Sequence, residues 1–516
     1  GARDGDGARD GDGARDGDGA REGADLADVA ERPALAEPTD GPALVGESDP
    51  RAMADAADTP VEGRQAVDDG QAIEDDRAAG GQVVEDERAV EDGHAVEDGH
   101  AVEVERAVGG GVVEGRRAAR RRAASSGPTA ASGSGGEVVE VDVVVIGAGQ
   151  AGLAAAYHLR RRGLVAVGER GWERAGATFV VLDDAPQPGG AWQHRWPSLT
   201  MADAHGVHDL PGMPLVVPDP SEPAAMAVPY YFAQYEGEFD LHVQRPVRVR
   251  RVEDGPDGRL LVTSHSVDRP SEIVVWGARG LVNASGTWGK PFWPTYPGRR
   301  TFRGRQLHTH DYGSADELAD GHVVVVGGGT SAVQLLLELA RVTTTTWVTR
   351  RPPAWREEEF TPEVGREAVA LVEERTRAGL PPQSIVSVTG LPLTDAYRRG
   401  IADGVLRARP MFDRIESDGV TWSRPSTAAQ VPDGWVDGPS HVEARTLLWC
   451  TGFRPSLDHL GPLRLRGGGG GIVMDGTQVV ADPRVQLVGY GPSASTVGAS
   501  RAGREAVRHL QRLLGL

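Results

Sequence analysis

The stretch VDVVVIGAGQAGLAAAYHLRRRG, residues 141–163, restricts the possible folds of this chain more than any other. Its near-continuous run of β-formers over 141–146 predicts a strand buried on both faces, and the Ala- and Leu-rich run after Gly152 predicts a helix packed against it. Between the two lies a turn with almost no side chains. Gly147, Gly149 and Gly152 stand in the spacing G-x-G-x-x-G: the first permits a tight turn, the second lets a pyrophosphate approach the backbone, and the third lets helix and strand pack closely. The helix then offers unpaired N–H groups and the positive end of its dipole to phosphates. Strand, turn and helix in this order predict a dinucleotide site.

The pattern recurs. Residues 322–326 predict a second buried strand, 327–332 (GGGTSA) a second glycine turn with Gly327, Gly329 and Ala332 spaced as G-x-G-x-x-A, and 333–340 a second helix. Each turn is followed by a strand with an interpretable end. The strand at 178–182 runs into Asp183, placed to accept hydrogen bonds from both ribose hydroxyls of an adenosine; it lies 31 residues past Gly152 (183 − 152), so 165–177 reads as an insertion. The strand at 344–349 runs instead into Arg350 and Arg351, cations that suit the 2′-phosphate of NADP, which an acid would repel. The two turns therefore point to different dinucleotides.

Composition separates the first quarter of the chain from the rest. Residues 1–136 contain none of the 11 Trp, 8 Tyr and 8 Phe, and hold 15 Arg against 32 Asp and Glu, a net of −17 out of −20. Built on GARDGD and VEDGH repeats and ending in a Gly/Ser linker, they cannot bury enough apolar surface to offset the entropy of ordering, and a disordered acidic tail is expected. The remaining residues are near neutral, 40 cations against 43 acids, which argues against nucleic acid as a partner. A single cysteine, Cys450, excludes an internal disulfide and a C-x-x-C redox pair. No apolar run is long enough for a membrane span and no secretory pattern opens the chain, so a soluble, cytoplasmic protein is expected.

Between the motifs, 223–243 predicts a helix, 246–252 and 260–264 a pair of strands joined at 255–258, and 273–284 a further strand. The chain is polar and irregular from 352 to about 442, and ends with strands at 444–449 and 485–488 and a helix at 500–514. The predicted fold class is α/β: two Rossmann-like dinucleotide-binding domains, the second inserted into the first. The boundaries are 1–136 for the tail, 137–300 and 444–516 for the two parts of the first dinucleotide-binding domain, and 301–443 for the second.

A family resemblance assigns a cofactor to each domain. Phe302-x-Gly304-x-x-x-His308-x-x-x-Tyr312, between the two glycine turns, resembles the F-x-G-x-x-x-H-x-x-x-[YFW] signature of the flavin-containing monooxygenases and their bacterial relatives. GGAW at 189–192, NASGT at 283–287, CTGF at 450–453 and VGYGP at 488–492 resemble the family's other landmarks in order. The resemblance implies FAD at the first turn, held by Gly147, Gly149, Gly152 and Asp183, with Val247 touching adenine through its backbone. Gly190 and Trp192 would lie along the flavin, Thr451 and Gly452 where the chain crosses back, and Gly489 near the start of the last helix. NADPH would take Gly327, Gly329, Thr330, Ser331, Arg350 and Arg351.

In the chemistry so implied, NADPH reduces FAD, O₂ reacts to a flavin peroxide, and one oxygen enters the nitrogen, sulfur or ketone of a small organic substrate. The alternatives are a flavin oxidoreductase without oxygenation and a redox-sensing flavoprotein. Few side chains need be catalytic, since the hard chemistry is the cofactor's. His308 and Arg195 are the candidates. His308 is either an oriented polar group near the nicotinamide or a histidine that fixes the linker; Arg195, between Trp192 and Trp196, either faces the flavin or packs as a cation–π group. His205 and His208 could line the pocket, and no metal site is expected. Nothing in the sequence sets an oligomeric state.

Overall fold

The computed structural model describes residues 138–204, 207–357, 362–383, 388–423 and 434–516. The acidic segment 1–136 and His205 lie outside them.

Residues 138–146 and 150–161 form the expected strand β1 (Val138–Ile146) and helix α1 (Gln150–Arg161). Alternation along β1 feeds two cores. Val143 and Val145 face α1, whereas Val144 and Ile146 face the opposite layer with Val180, Leu281 and Leu487. On one side β1 pairs in parallel with β3 (Thr178–Leu182), which pairs in turn with the short β2 (Val165–Ala166). The stretch expected to be an insertion thus supplies an edge strand. On its other side β1 pairs with β6 (Ile273–Asn283), Ile146 opposite Asn283.

β6 is long enough to serve two partners. Its first half takes the antiparallel pair β4 (Val247–Asp254) and β5 (Leu260–Ser266), and its second half takes β19 (Val485–Leu487) in parallel, beyond which lie β18 (Gln478–Val479) and β17 (Met474–Asp475). C-terminal elements therefore complete the first sheet. Helix α2 (Ala224–Glu238) and the last helix, α6 (Thr496–Leu514), join α1 on the same face, where Gly503 lets α6 meet the backbone at Ala154 and Ala155.

The second sheet repeats the plan with five parallel strands in the order β12-β9-β8-β16-β7. These are β7 (Arg305–His308), β8 (Val323–Val326), β9 (Thr345–Thr349), β12 (Ala408–Pro410) and β16 (Thr446–Trp449). Val323 and Val325 pack towards α3 (Thr330–Leu339); Val324 and Val326 pack against Phe412, Trp422 and Trp449. A three-stranded antiparallel sheet, β13 (Arg414–Ile415), β14 (Gly419–Thr421) and β15 (His441–Glu443), covers that second face.

Two expectations need correction. The strand at 444–449 belongs to the second sheet: β16 runs between β7 and β8, with Thr446 opposite both Arg305 and Val323, so the crossing back to the first sheet follows 449 and not 443. Both sheets accept a fully buried parallel strand, and TLLW carries no mark of which. The region called irregular contains α4 (Pro362–Arg377) and α5 (Asp395–Ala402), together with the short pair β10 (Trp355–Arg356) and β11 (Leu391–Pro392). Among the described residues no helix is long and apolar enough to cross a membrane.

Candidate cofactor sites

The two glycine turns are built alike to the level of single hydrogen bonds. In the first, the Gly147 N–H donates to Leu182 O at the end of β3 (2.7 Å), and the Ala284 N–H after β6 donates to Ile146 O (2.8 Å). In the second, the Gly327 N–H donates to Val348 O at the end of β9 (3.0 Å), and the Cys450 N–H after β16 donates to Val326 O (2.8 Å). The leading glycine has positive φ in both, 95° and 146°. A Cβ there would lie 2.4 Å from Ala284 O in one turn and 2.1 Å from Cys450 O in the other. At Gly152 it would lie 1.9 Å from Gly147 O. Only glycine permits these approaches.

The middle glycines differ from these. A Cβ at Gly149 would have Gly190 Cα at 4.0 Å as its nearest neighbour, and one at Gly329 would have nothing within 4 Å. Each is also the N-cap of its helix, without a side-chain acceptor and with no acid in the first turn of α1 or α3. Open space above uncapped N–H groups is what an anionic pyrophosphate requires.

Around the first turn the structure assembles most of the residues expected there. Gly190 lies against Gly149, Trp192 is buried, and a Cβ on Gly489, which has φ 75°, would lie 3.7 Å from Ala151 Cβ. Gln150 donates through Nε2 to His208 O (3.1 Å) and Ser500 Oγ (3.3 Å), so the segment carrying His208 also reaches this turn. The Val247 N–H donates to Asp183 O at 2.7 Å, so a backbone contact from Val247 to adenine would use its carbonyl. Three buried side-chain atoms here lack a partner: Thr287 Oγ1, Gln150 Oε1 and His208 Nε2. Orphaned polar atoms beside an open glycine cradle fit a large polar ligand.

The strand ends carry opposite charge. Asp183 is buried and receives Nε and Nη2 of Arg245 on Oδ2 (3.2 and 3.0 Å), while Nη1 and Nη2 of the same arginine grip Glu236 (2.6 and 2.8 Å). Burial pushes the carboxyls of Asp183 and Glu236 above their usual range, opposed in both by Arg245. Arg350 and Arg351 stand exposed just past β9, and desolvation, followed by the charge of Arg351, lowers the guanidinium pKa of Arg350. Thr330 is buried in the first turn of α3, with Ser331 half-buried beside it.

Between the sheets the chain crosses twice, at 289–293 and 451–454, as an antiparallel ribbon. The Phe292 N–H donates to Gly452 O (2.9 Å), the Arg454 N–H to Lys290 O (2.8 Å), and Thr451 Oγ1 to Phe292 O (2.5 Å). His308, at the end of β7, is fully buried against this ribbon. Its Nε2 donates to Gly452 O (3.1 Å) and its Nδ1 accepts the His310 N–H (3.0 Å), while burial pulls its pKa down to about 4. Those bonds assign the Nε2–H tautomer. A neutral ring with both nitrogens committed to backbone fits the second of the two parts expected for His308, that of a histidine that fixes the linker.

Arg195 likewise packs. It is buried with its guanidinium 5.5 Å from the Trp192 ring centre and 5.2 Å from that of Trp288. Trp288, immediately before the first crossing, stacks on His194 (7° between planes), Phe453 (24°) and His310 (28°). This stack joins both crossings to the loop after β3 and to the segment after β7. The sequence offers no regular spacing for it, because its members lie far apart along the chain.

The remaining signature residues also join elements. A Cβ on Gly304 would meet Phe302 Cζ and Arg445 O, each at 2.4 Å, and Tyr312 OH donates to Glu338 Oε1 on α3 (3.0 Å). Glu338 Oε2 accepts Ser198 Oγ (2.8 Å), which ties the loop after Trp192 to the second sheet's helix. Among the described residues no cluster of three metal-ligating side chains exists.

Comparison with known proteins agrees with this geometry. The profile of the pyridine nucleotide-disulphide oxidoreductase family matches residues 144–376. The solved flavin-containing monooxygenase from Stenotrophomonas maltophilia is 34% identical, with a TM-score of 0.57 over 73% of this chain and 100% of that one. The uncharacterized oxidoreductase CzcO of Bacillus velezensis is 28% identical over 200 residues, 39% of this chain and 52% of that protein. An indole-3-pyruvate monooxygenase of Oryza sativa subsp. japonica is 29% identical over 205 residues, 38% of this chain and 45% of that protein. The chain spans about half the length of these curated relatives. With repeated turns, an uncapped helix over each and a signature that binds the two sheets together, the chain belongs to the flavin-containing monooxygenase-like FAD-dependent oxidoreductases.

Proposed function

We propose that this protein is an NADPH-dependent monooxygenase that transfers one atom of O₂ to a small organic substrate, by N- or S-oxygenation or by Baeyer–Villiger insertion. In this reading 137–300 and 450–516 hold FAD, and 301–449 holds NADPH. The observation that carries it is the pair of like-built turns whose strand ends differ in charge, buried Asp183 at one and exposed Arg350 and Arg351 at the other. An acid suits the diol of FAD, and paired guanidinium groups suit a 2′-phosphate.

FAD, when bound, supplies the redox chemistry, taking a hydride from the nicotinamide and passing two electrons to O₂. The work left to this chain is binding, orientation and the exclusion of water. Gly147, Gly149 and Gly152 admit the pyrophosphate to the N-terminus of α1. Gly327, Gly329, Thr330 and Ser331 do the same at α3. His308 holds the two crossings at one spacing, and the Arg195–Trp288 stack ties the loop after β3 and the segment after β7 to those crossings.

The test is turnover of the purified, FAD-loaded protein under ¹⁸O₂ with a panel of amines, thioethers and ketones. The reading expects NADPH consumption, one ¹⁸O in product and one in water. NADPH consumption with all oxygen recovered as hydrogen peroxide for every substrate, or flavin that NADPH does not reduce, would overturn it.

A further inference from the structure

The Asp183 carboxylate is a poor ribose ligand if left to itself. A carboxyl buried at the end of β3 pays for desolvation by taking up a proton, and a protonated acid accepts less well from two hydroxyl donors. Two residues remote in sequence deal with this. Arg245, just before β4, places both of its bonds to Asp183 on Oδ2, leaving Oδ1 with no side-chain donor among the described residues, and the Ala148 N–H of the first glycine turn faces the same carboxylate. Arg245 is fixed in turn by Glu236, in the last turn of α2, through a two-pronged contact of 2.6 and 2.8 Å. The backbone supports this placement: the Asp183 N–H donates to Gln244 O (3.0 Å), and the Gln244 N–H donates to Val181 O (2.8 Å).

We propose that Glu236 and Arg245 are positioning residues for the adenosine end of FAD, holding the Asp183 carboxylate with Oδ1 towards the ribose hydroxyls. The second acid has a distinct part. Arg245 with Asp183 alone would be a neutral pair, whereas the trio carries one net negative charge, which accepts from hydroxyl donors and repels a 2′-phosphate. The trio thereby selects FAD over NADP at the first turn. The inference rests on FAD occupying that turn.

The test is a binding titration, read as quenching of flavin fluorescence, of the full chain stripped of flavin. The ligands are FAD and FAD lacking the adenosine 2′-hydroxyl. Loss of that hydroxyl should weaken binding to the unmodified protein by about tenfold or more, as expected for a hydrogen bond to a charged acceptor. In Glu236→Gln and Arg245→Met the same deletion should cost about twofold at most, because the acceptor is no longer held in place. A merely structural role would weaken both ligands together and keep the ratio, and an unchanged ratio in both variants overturns the proposal. Glu236→Gln, which conserves volume, serves if Arg245→Met does not fold. Asp183→Asn separates the two levels. If it removes the discrimination and the other variants do not, the proposal alone fails; if it too leaves the ratio unchanged, FAD is not held at this turn.

Discussion

Replacing His308 by leucine removes a buried clamp, and the structure sets the size of the effect. Leucine keeps an apolar side chain in the fully buried site but strands two backbone groups, Gly452 O and the His310 N–H. An unsatisfied buried group costs about 1–3 kcal/mol. Two such groups would cost about 2–6 kcal/mol together, but Gly452 O retains the Phe292 N–H as a donor, so the total falls in the lower part, roughly 2–4 kcal/mol at pH 7. The gap must then close with acid. The ring titrates at 6.5 when unfolded and at about 4 when folded, because burial disfavours the charged form. As the pH falls from 6.5 towards 4 the unfolded chain takes up the proton first, so the stability that the neutral ring provides above 6.5 is progressively lost. At about 1.4 kcal/mol per unit this amounts to roughly 3 kcal/mol, which only the unmodified protein loses. His158 and His459, also lowered to about 4 by burial, are present in both proteins and cancel in the comparison. Urea unfolding followed by tryptophan fluorescence at pH 7 and pH 4, with flavin at equal saturation, should show a gap of several kcal/mol that nearly vanishes in acid. A gap of equal size at both pH values would refute the assignment of His308 as a neutral, doubly bonded clamp.

Other changes test other parts of the molecule. Gly152→Val would bring a side chain to within 1.9 Å of Gly147 O, and the purified variant should lack the visible absorbance of bound flavin. Arg350→Ala combined with Arg351→Ala should raise KM for NADPH by about tenfold or more and leave KM for NADH within about twofold; equal changes would remove their part in recognising the 2′-phosphate. Tyr312→Phe deletes the bond to Glu338 and should cost about 1 kcal/mol in urea unfolding. The double variant with Ser198→Ala should cost less than the sum of the two singles if both act through Glu338.

Local pattern determined much of this protein. The two strand–turn–helix units were legible because buried β-formers, glycines at fixed offsets and helix formers are each local signals, and β3 runs over Thr178–Leu182, as read from the sequence. The charges at the strand ends were equally plain. What tertiary structure alone decided is what these signals do not carry. A buried strand such as β16 does not announce which of two parallel sheets it enters, since both offer it the same apolar surroundings. His308 and Arg195 were visible as residue types, but only their neighbours, Gly452, His310, Trp192 and Trp288, separate a clamp and a packed cation from groups open to a ligand. Glu236 and Arg245 carried no signal at all: their link to Asp183 spans 53 and 62 residues and exists because α2 and the start of β4 fold back to the end of β3. Periodicity and glycine spacing act over a few residues and therefore survive in the sequence. The pairing of distant side chains is a property of where the chain returns, and that is set by the packing of the whole.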